Sequence, residues 1–168
     1  MRIKLIAAMD LNRCIGHGGG LPWSIPSEMQ HFKEKTIGQS NNAVVMGRKT
    51  WDSLPKPLKN RQNIILSRSM QTRAQIQEQY TAPYIAPDIQ QVLAWTSMRD
   101  ELWVIGGAEI YNLFLTNDLV DEILISQIHR VYHGDTYFPH IPMENWKVRV
   151  GSNYQSNIGF TTFHLIRV

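Results

Sequence analysis

Apolar residues in this chain come in short unbroken runs, and the runs alternate with stretches whose apolar positions recur at helical spacing. Ile3–Met9 is mostly apolar and β-prone, the mark of a strand buried on both faces. Asp10–Gly20 follows as a loop, with four glycines among its last five residues. Helical spacing runs from Glu28 to about Thr36 and stops near Gly38, with Pro26 at or just before the first turn and Ser27 as the predicted N-cap. Ala43–Met46 is a short buried strand that turns through Gly47 into a helix, which Pro55 and Pro57 end. Asn63–Leu66 is another buried strand, and Tyr84–Ala86 a short one; the polar stretch Gln71–Tyr80 between them fits no element.

Asp88 caps a helix to about Thr96, with Ile89, Val92 and Leu93 at core spacing. Leu102–Ile105 is the strongest buried strand, and Gly106–Gly107 turns it directly into a helix through Ile110, Tyr111 and Phe114. Glu122–Ile128 is a strand, HRVYHGDTYFP a loop, and Trp146–Gly151 with Gly159–Arg167 a C-terminal hairpin-like pair. Strands alternating with helices predict an α/β fold. It has a central, mainly parallel sheet with antiparallel C-terminal strands and about four flanking short helices. The 168 residues read as a single domain over 1–168.

Composition changes this picture little. A hydrophobic fraction of 43% and a charged fraction of 18% are those of an ordinary globular protein. Cys14 alone permits no internal disulfide and suits a reducing compartment, the cytoplasm. The N-terminal apolar run is too short for a signal peptide, and no stretch approaches a membrane span. The net charge of +3 is spread without a basic block, so an anionic small molecule is favoured over nucleic acid as a partner.

Candidate chemistry concentrates in LPWSIPSEMQHFK, Leu21–Lys33. Glu28 and Phe32 share a helix face, and a carboxylate on an apolar face is driven toward protonation or toward a cationic or amide-like partner. A first-turn acid that merely faces water and complements the helix dipole is the alternative, and the helix alone does not choose. Two further strand–turn–helix junctions, MGRKTW (Met46–Trp51) and VIGGAEIY (Val104–Tyr111), present helix N-termini where open α/β sheets bind phosphate. Glycines at such turns also serve geometry alone. Arg48, Ser67 and Arg68 add donors that favour an extra phosphate, as in NADP rather than NAD. GHGGGL fails the dinucleotide fingerprint, since Leu21 and Pro22 stand where a glycine and a helix are needed, and reads as a mobile flap. Walker A, G-x-S-x-G, HExxH and CxxC patterns are absent, Cys14 has nothing to activate it, and no metal site is expected. Trp51, Trp95, Trp103 and Trp146 are spread like core or cap residues and form no base-stacking platform.

The blocks IAAMDLNRCIG, LPWSIPSEMQHFK, VVMGRKTW, LKNRQNIILSR, VIGGAEIYNLF and GDTYFP, in that order from Ile6 to Pro139, closely resemble the dihydrofolate reductase family. The resemblance implies reduction of dihydrofolate by NADPH, with hydride passing to pterin C6 and a proton to N5. It implies Glu28 as the active-site acid on the pterin's amidine-like edge, with Ser126 bonding the acid from behind. Trp23, ordering a water near the acid, and Leu21 complete the implied catalytic set. Ile6, Ala8, Met29, Phe32 and Ile105 would line the pterin pocket, Leu54 and Leu58 the aminobenzoyl ring, and Arg61 would clamp the glutamate α-carboxylate.

On the cofactor side it implies Arg48, Lys49 and Thr50 with Ser67 and Arg68 at the phosphates, and Gly106 to Ile110 as the second phosphate junction. Ala8 and Ile15 would border the nicotinamide, and Gly16, Leu21, Gly47, Leu66, Ile105 and Tyr111 complete the implied NADPH contacts. The family places a cis peptide at Gly106–Gly107, and Asp135 would support the flap. Antifolate inhibitors are further implied ligands, and a monomer without nucleic-acid or membrane partners is expected. The chain departs from many bacterial members in having glutamate for aspartate at 28, extra glycine in the flap, and no readable pattern at Lys56 and 71–80. Rival readings are a same-fold reductase acting on a pyrimidine intermediate of riboflavin synthesis, a non-catalytic pterin or nucleotide module, and an RNA binder. The leucine collar and Arg61 disfavour the first, the acid with both junctions the second, and the scattered charge the third.

Overall fold

The computed structural model describes residues 1–69 and 81–168, so the stretch Gln71–Tyr80 lies outside the described residues. The strands are β1 (Arg2–Met9), β2 (Cys14–Gly16), β3 (Ala43–Met46), β4 (Gln62–Leu66), β5 (Tyr84–Ala86), β6 (Glu101–Val104), β7 (Glu122–Ile128), β8 (Thr136–Tyr137), β9 (Trp146–Tyr154) and β10 (Phe160–Arg167). The helices are α1 (Pro26–Ile37), α2 (Arg48–Ser53), α3 (Ile89–Thr96) and α4 (Ala108–Thr116), with one 3-10 turn at Met143–Asn145.

Eight strands form one sheet in the order β5-β4-β3-β6-β1-β7-β10-β9. From β5 to β7 every pairing is parallel, and β10 runs antiparallel to both β7 and β9. The apolar runs are therefore central strands, with Leu5, Val44, Val45, Ile64, Leu102 and Val104 fully buried. Alternation along β1 divides the core. Ile3, Leu5 and Ala7 face the cluster that holds Phe114 and Val92, while Ile6 faces a second cluster with Val44, Met46, Trp51, Ile65 and Trp103. Toward the strands' N-terminal ends the second face turns ionic, where Lys4 bonds Glu101 at 2.6 Å and Glu122 takes His164 at 2.6 Å and Arg2 at 2.8 Å.

Three local expectations are corrected. Ser27 is not the N-cap: Ile25 holds that position with Pro26 as the first helical residue, and the Ser27 hydroxyl bonds Ser156 Oγ at 3.0 Å. Burial of Ile25 beside the proline fixes the N-cap two residues earlier than the serine signal suggests. Strand β9 continues to Tyr154, because β10 pairs across a bulge between Thr161 and Phe163 and carries the ladder past Gly151.

The stretches read as two separate loops contain strands, β2 and β8, which pair with each other. The anchor is Asp10, fully buried, whose Oδ1 accepts from Asn12 N and Cys14 N at 2.8 Å each and whose Oδ2 accepts from Tyr132 N at 2.7 Å. At the tip, Gly18 N donates to Asp135 Oδ2 at 2.9 Å, and that bond and the Thr136 hydroxyl hold the Asp135 carboxyl below the usual carboxylate range. Gly134 has to be glycine, since a Cβ there would collide with Cys14 Sγ and the Gly16 carbonyl oxygen. The flap is thus a paired ribbon. Asp10→Asn is expected to lower unfolding stability by about 1–3 kcal/mol, because an amide NH2 would then face the Tyr132 N–H and orphan it. Urea denaturation at unchanged m-value measures the loss.

Candidate active site

Helix α1 lies on the second face of the sheet, and its two buried residues are Glu28 and Thr36. Glu28 is 6% exposed, and its carboxyl bonds the Ser126 hydroxyl of β7. Burial pushes its pKa up, and the Ser126 bond opposes that shift only in part. The water-facing alternative for Glu28 is therefore excluded. Beside it, Ala8 and Ser126 are register partners across β1 and β7, and Ile6 pairs with Leu124. Ile6, Phe32, Leu54, Leu58 and Ile105 converge on Trp103 and Trp51 in one apolar cluster, in which Phe32, Leu54, Leu58 and Ile105 are only partly buried. Met29 and Leu21 are more than half exposed, at 60% and 57%.

At the other end of α1 stands Arg61. Its Nη1 donates to Thr36 Oγ1 at 2.9 Å and its Nε to the Lys59 carbonyl at 2.8 Å. Both acceptors are neutral, and among the described residues no carboxylate pairs with it. Half-burial lowers its pKa, a sign that the charge is held partly out of water without compensation. Glu28, Phe32 and Thr36 are spaced by four, so the helix separates acid from guanidinium by about 12 Å along its axis. This face of the sheet thus has a buried carboxyl at one end of α1, a cation without a carboxylate partner at the other and apolar side chains between. It fits an elongated ligand with an amidine-like head and an anionic tail.

The glycine junctions meet because β3 and β6 are neighbours. Gly47 caps α2 and Gly107 caps α4, neither helix has a side-chain cap, and Gly47 N donates to the Gly106 carbonyl at 2.9 Å. The Gly106–Gly107 peptide is cis, as expected. Gly106 has φ +120°, open to glycine, and a Cβ on Gly47 would stand 3.1 Å from Ile110 Cγ1, so the close approach of the two turns requires both. Arg48, Lys49 and Arg68 are exposed around the junctions, Thr50 and Ser67 are half-buried and Leu66 is buried. Arg48 Nε lies 3.7 Å from Asp52 Oδ2. Two uncapped helix N-termini with three exposed cations nearby fit a pyrophosphate and an added phosphate.

Ala108, Glu109, Ile110 and Tyr111 form the first turn of α4. Tyr111 turns inward: its hydroxyl lies 2.8 Å from the Ile6 carbonyl and 3.0 Å from that of Ile105, tying β1 to the turn that follows β6. Burial, and then the charge of Glu28, push that phenol's pKa up, so it stays protonated as a donor. Ile15 packs on the first core and Gly16 lies in β2, both half-buried. Trp23 is buried with its ring 5.3 Å from that of Tyr132, and its Nε1 has no partner among the described residues. Two residues escaped the sequence reading. Asp10 looked like any turn aspartate, and Tyr132 looked like loop; only their contacts across the chain single them out.

The family model described as "Dihydrofolate reductase" matches residues 2–166. Among curated relatives, the dihydrofolate reductase of Bacillus subtilis (strain 168) is 35% identical over 147 residues, covering 87% of this chain and 80% of its own length. Dihydrofolate reductase type A13 of Escherichia coli is 36% identical over 164 residues, covering 96% and 92%. The dihydrofolate reductase of Neisseria meningitidis serogroup A is 38% identical over 148 residues, covering 88% and 85%.

Proposed function

The chain belongs to the dihydrofolate reductase family, and on that premise we propose that the groove between Glu28 and Arg61 is its active site. The protein is an NADPH-dependent oxidoreductase that reduces 7,8-dihydrofolate to 5,6,7,8-tetrahydrofolate, a step of one-carbon and thymidylate metabolism. The observation that carries the site assignment is the pairing of a buried acid and an uncompensated guanidinium at opposite ends of α1, across one apolar cluster. Glu28 accepts hydrogen bonds from the amidine-like edge of the pterin and raises its basicity at N5, while Ser126 fixes the carboxyl. Ile6, Ala8, Phe32 and Ile105 exclude water around the pterin, with Met29 and Leu21 at exposed positions beside it. Leu54 and Leu58 pack on the aminobenzoyl ring, and Arg61 takes the α-carboxylate as a planar fork.

NADPH, when bound, supplies the hydride that C6 receives. The residues that hold it are those of the two junctions, Gly47 to Thr50 and Gly106 to Tyr111 through backbone, with Leu66, Ser67 and Arg68 after β4 and Ala8, Ile15, Gly16 and Leu21 toward the nicotinamide. The Asp135–Gly18 bond holds the flap over that end.

Loss of NADPH absorbance in the presence of dihydrofolate tests the reading, and turnover with NADPH far above that with NADH is expected. Arg68→Ala should narrow that preference about tenfold, the worth of one charge-assisted phosphate contact. Tight NADPH binding without turnover would overturn the substrate and leave the cofactor site. The protein is further proposed to work in the cytoplasm as a monomer without nucleic-acid or membrane partners; no helix among the described residues is long and apolar enough to cross a membrane. Antifolate inhibitors that present an amidine-like edge fit the same carboxylate.

A further inference from the structure

Two buried side-chain polar atoms have no hydrogen-bond partner among the described residues, and they sit on rings in contact: Trp23 Nε1 and the Tyr132 hydroxyl. The ring centroids are 5.3 Å apart with planes tilted by 54°. An unmade buried hydrogen bond costs about 1–3 kcal/mol, so a fold seldom leaves two on neighbouring rings. The rings share a cluster with Ile25, Ile128, Phe160 and Ala8, and Ala8 lies in register beside Ser126, the residue bonded to Glu28. The cluster that carries both rings thus adjoins, through Ala8 and Ser126, the strand pair beside the acid.

We infer that Tyr132 is a positioning residue, whose hydroxyl joins Trp23 Nε1 in holding one ordered water at the inner end of the groove. An indole N–H only donates, whereas a phenol both donates and accepts, so a single water accepting from Trp23 and bonded to Tyr132 satisfies both groups. Phenylalanine would pack against Trp23 equally well, and a buried hydroxyl is costly unless it is used. The backbone of Tyr132 is fixed for this purpose: its N–H donates to Asp10 Oδ2 at 2.7 Å, and Leu11 N donates to the Arg130 carbonyl at 3.1 Å. Asp10 also receives Cys14 N at the root of the flap, so flap, Tyr132 and Trp23 are parts of one connected arrangement.

The role of this water rests on the reductase reading of the groove. As C6 receives the hydride, the water gives one proton to N5 and regains one from solvent, so each turnover consumes one hydride and one proton. Tyr132 contributes by holding the water's orientation and keeps its own proton.

Tyr132→Phe, Trp23→Phe and the double variant test this in two ways. In ¹⁵N-labelled, ligand-free protein, the indole resonance lost in Trp23→Phe is expected to show exchange with water and to shift in Tyr132→Phe. A resonance unmoved by Tyr132→Phe overturns the shared water. In single-turnover reduction of dihydrofolate, Tyr132→Phe is expected to slow hydride transfer about tenfold, one hydrogen bond's worth, with KM unchanged. The double variant should be no slower than the slower single variant. Additive losses, or a loss confined to KM, overturn the proposal in favour of packing alone. A wild-type protein that fails to reduce dihydrofolate removes the reductase reading, and the indole measurement still decides whether the two side chains share a water.

Discussion

Glu28→Gln lowers kcat/KM for dihydrofolate by about 10²–10⁴ at neutral pH and, in the ligand-free protein, raises stability at the same pH. Both effects come from one environment. The Glu28 carboxyl is buried against apolar walls with the Ser126 hydroxyl as its fixed partner, so burial holds its pKa above the usual 4.5. The folded protein therefore keeps the Glu28 proton to higher pH than the unfolded chain does. The stability this gives is full below the unfolded value and is lost as pH rises through the raised folded value. At neutral pH the ionised group is a cost that a glutamine does not carry, and glutamine can still bond Ser126. Thermal unfolding of wild type and variant should differ most near pH 7–8, with the variant higher, and converge as pH falls toward 4. An active variant would remove Glu28 from the chemistry. A variant less stable at every pH would show that the carboxylate is compensated in the free protein.

How much of this could be read from the chain varies with the reach of the interactions involved. β1, β3, β4 and β6 were legible because each is an unbroken apolar run bounded by turn residues, and such runs occur where helices cover both faces of a parallel sheet. Their ends moved by a residue or so, as at β6, which spans Glu101–Val104 and leaves Ile105 in the turn. Ser27 misled because a serine before a glutamate is a local capping signal, whereas the helix start is set by Pro26 and by the burial of Ile25. β2 and β8 carry no periodicity at two or three residues each; they exist because Asp10 gathers three backbone donors from both segments. The candidate site shows the same division. The acid and the glycine junctions stood out in the sequence, but only Ser126, on a distant strand, decides that Glu28 is buried and bonded. Tyr132 had no local signal at all, since its meaning lies in Trp23 across the cluster.

Arg61→Leu raises KM for dihydrofolate by about 10²-fold or more and leaves kcat nearly unchanged, because truncating one partner of a part-buried charge pair typically costs 2–5 kcal/mol, or about 30-fold upward. The guanidinium is already placed before any ligand arrives: Thr36 Oγ1 and the Lys59 carbonyl hold its Nη1 and Nε at 2.9 and 2.8 Å, so little ordering remains to be done on binding. Arg61→Lys should recover only a small part of the loss, since a point charge on a flexible stem reproduces neither the fork nor those two anchoring bonds. The contact lies about 12 Å along α1 from Glu28, far from the reacting atoms, so it acts on ground state and transition state alike and appears in KM. A dihydropterin without the glutamate tail supplies the control. Its KM should be the same in wild type and both variants, because it has no carboxylate to lose. If that substrate is affected equally, Arg61 shapes the groove through Thr36 and the end of α1, and the tail's anion must be held by another group.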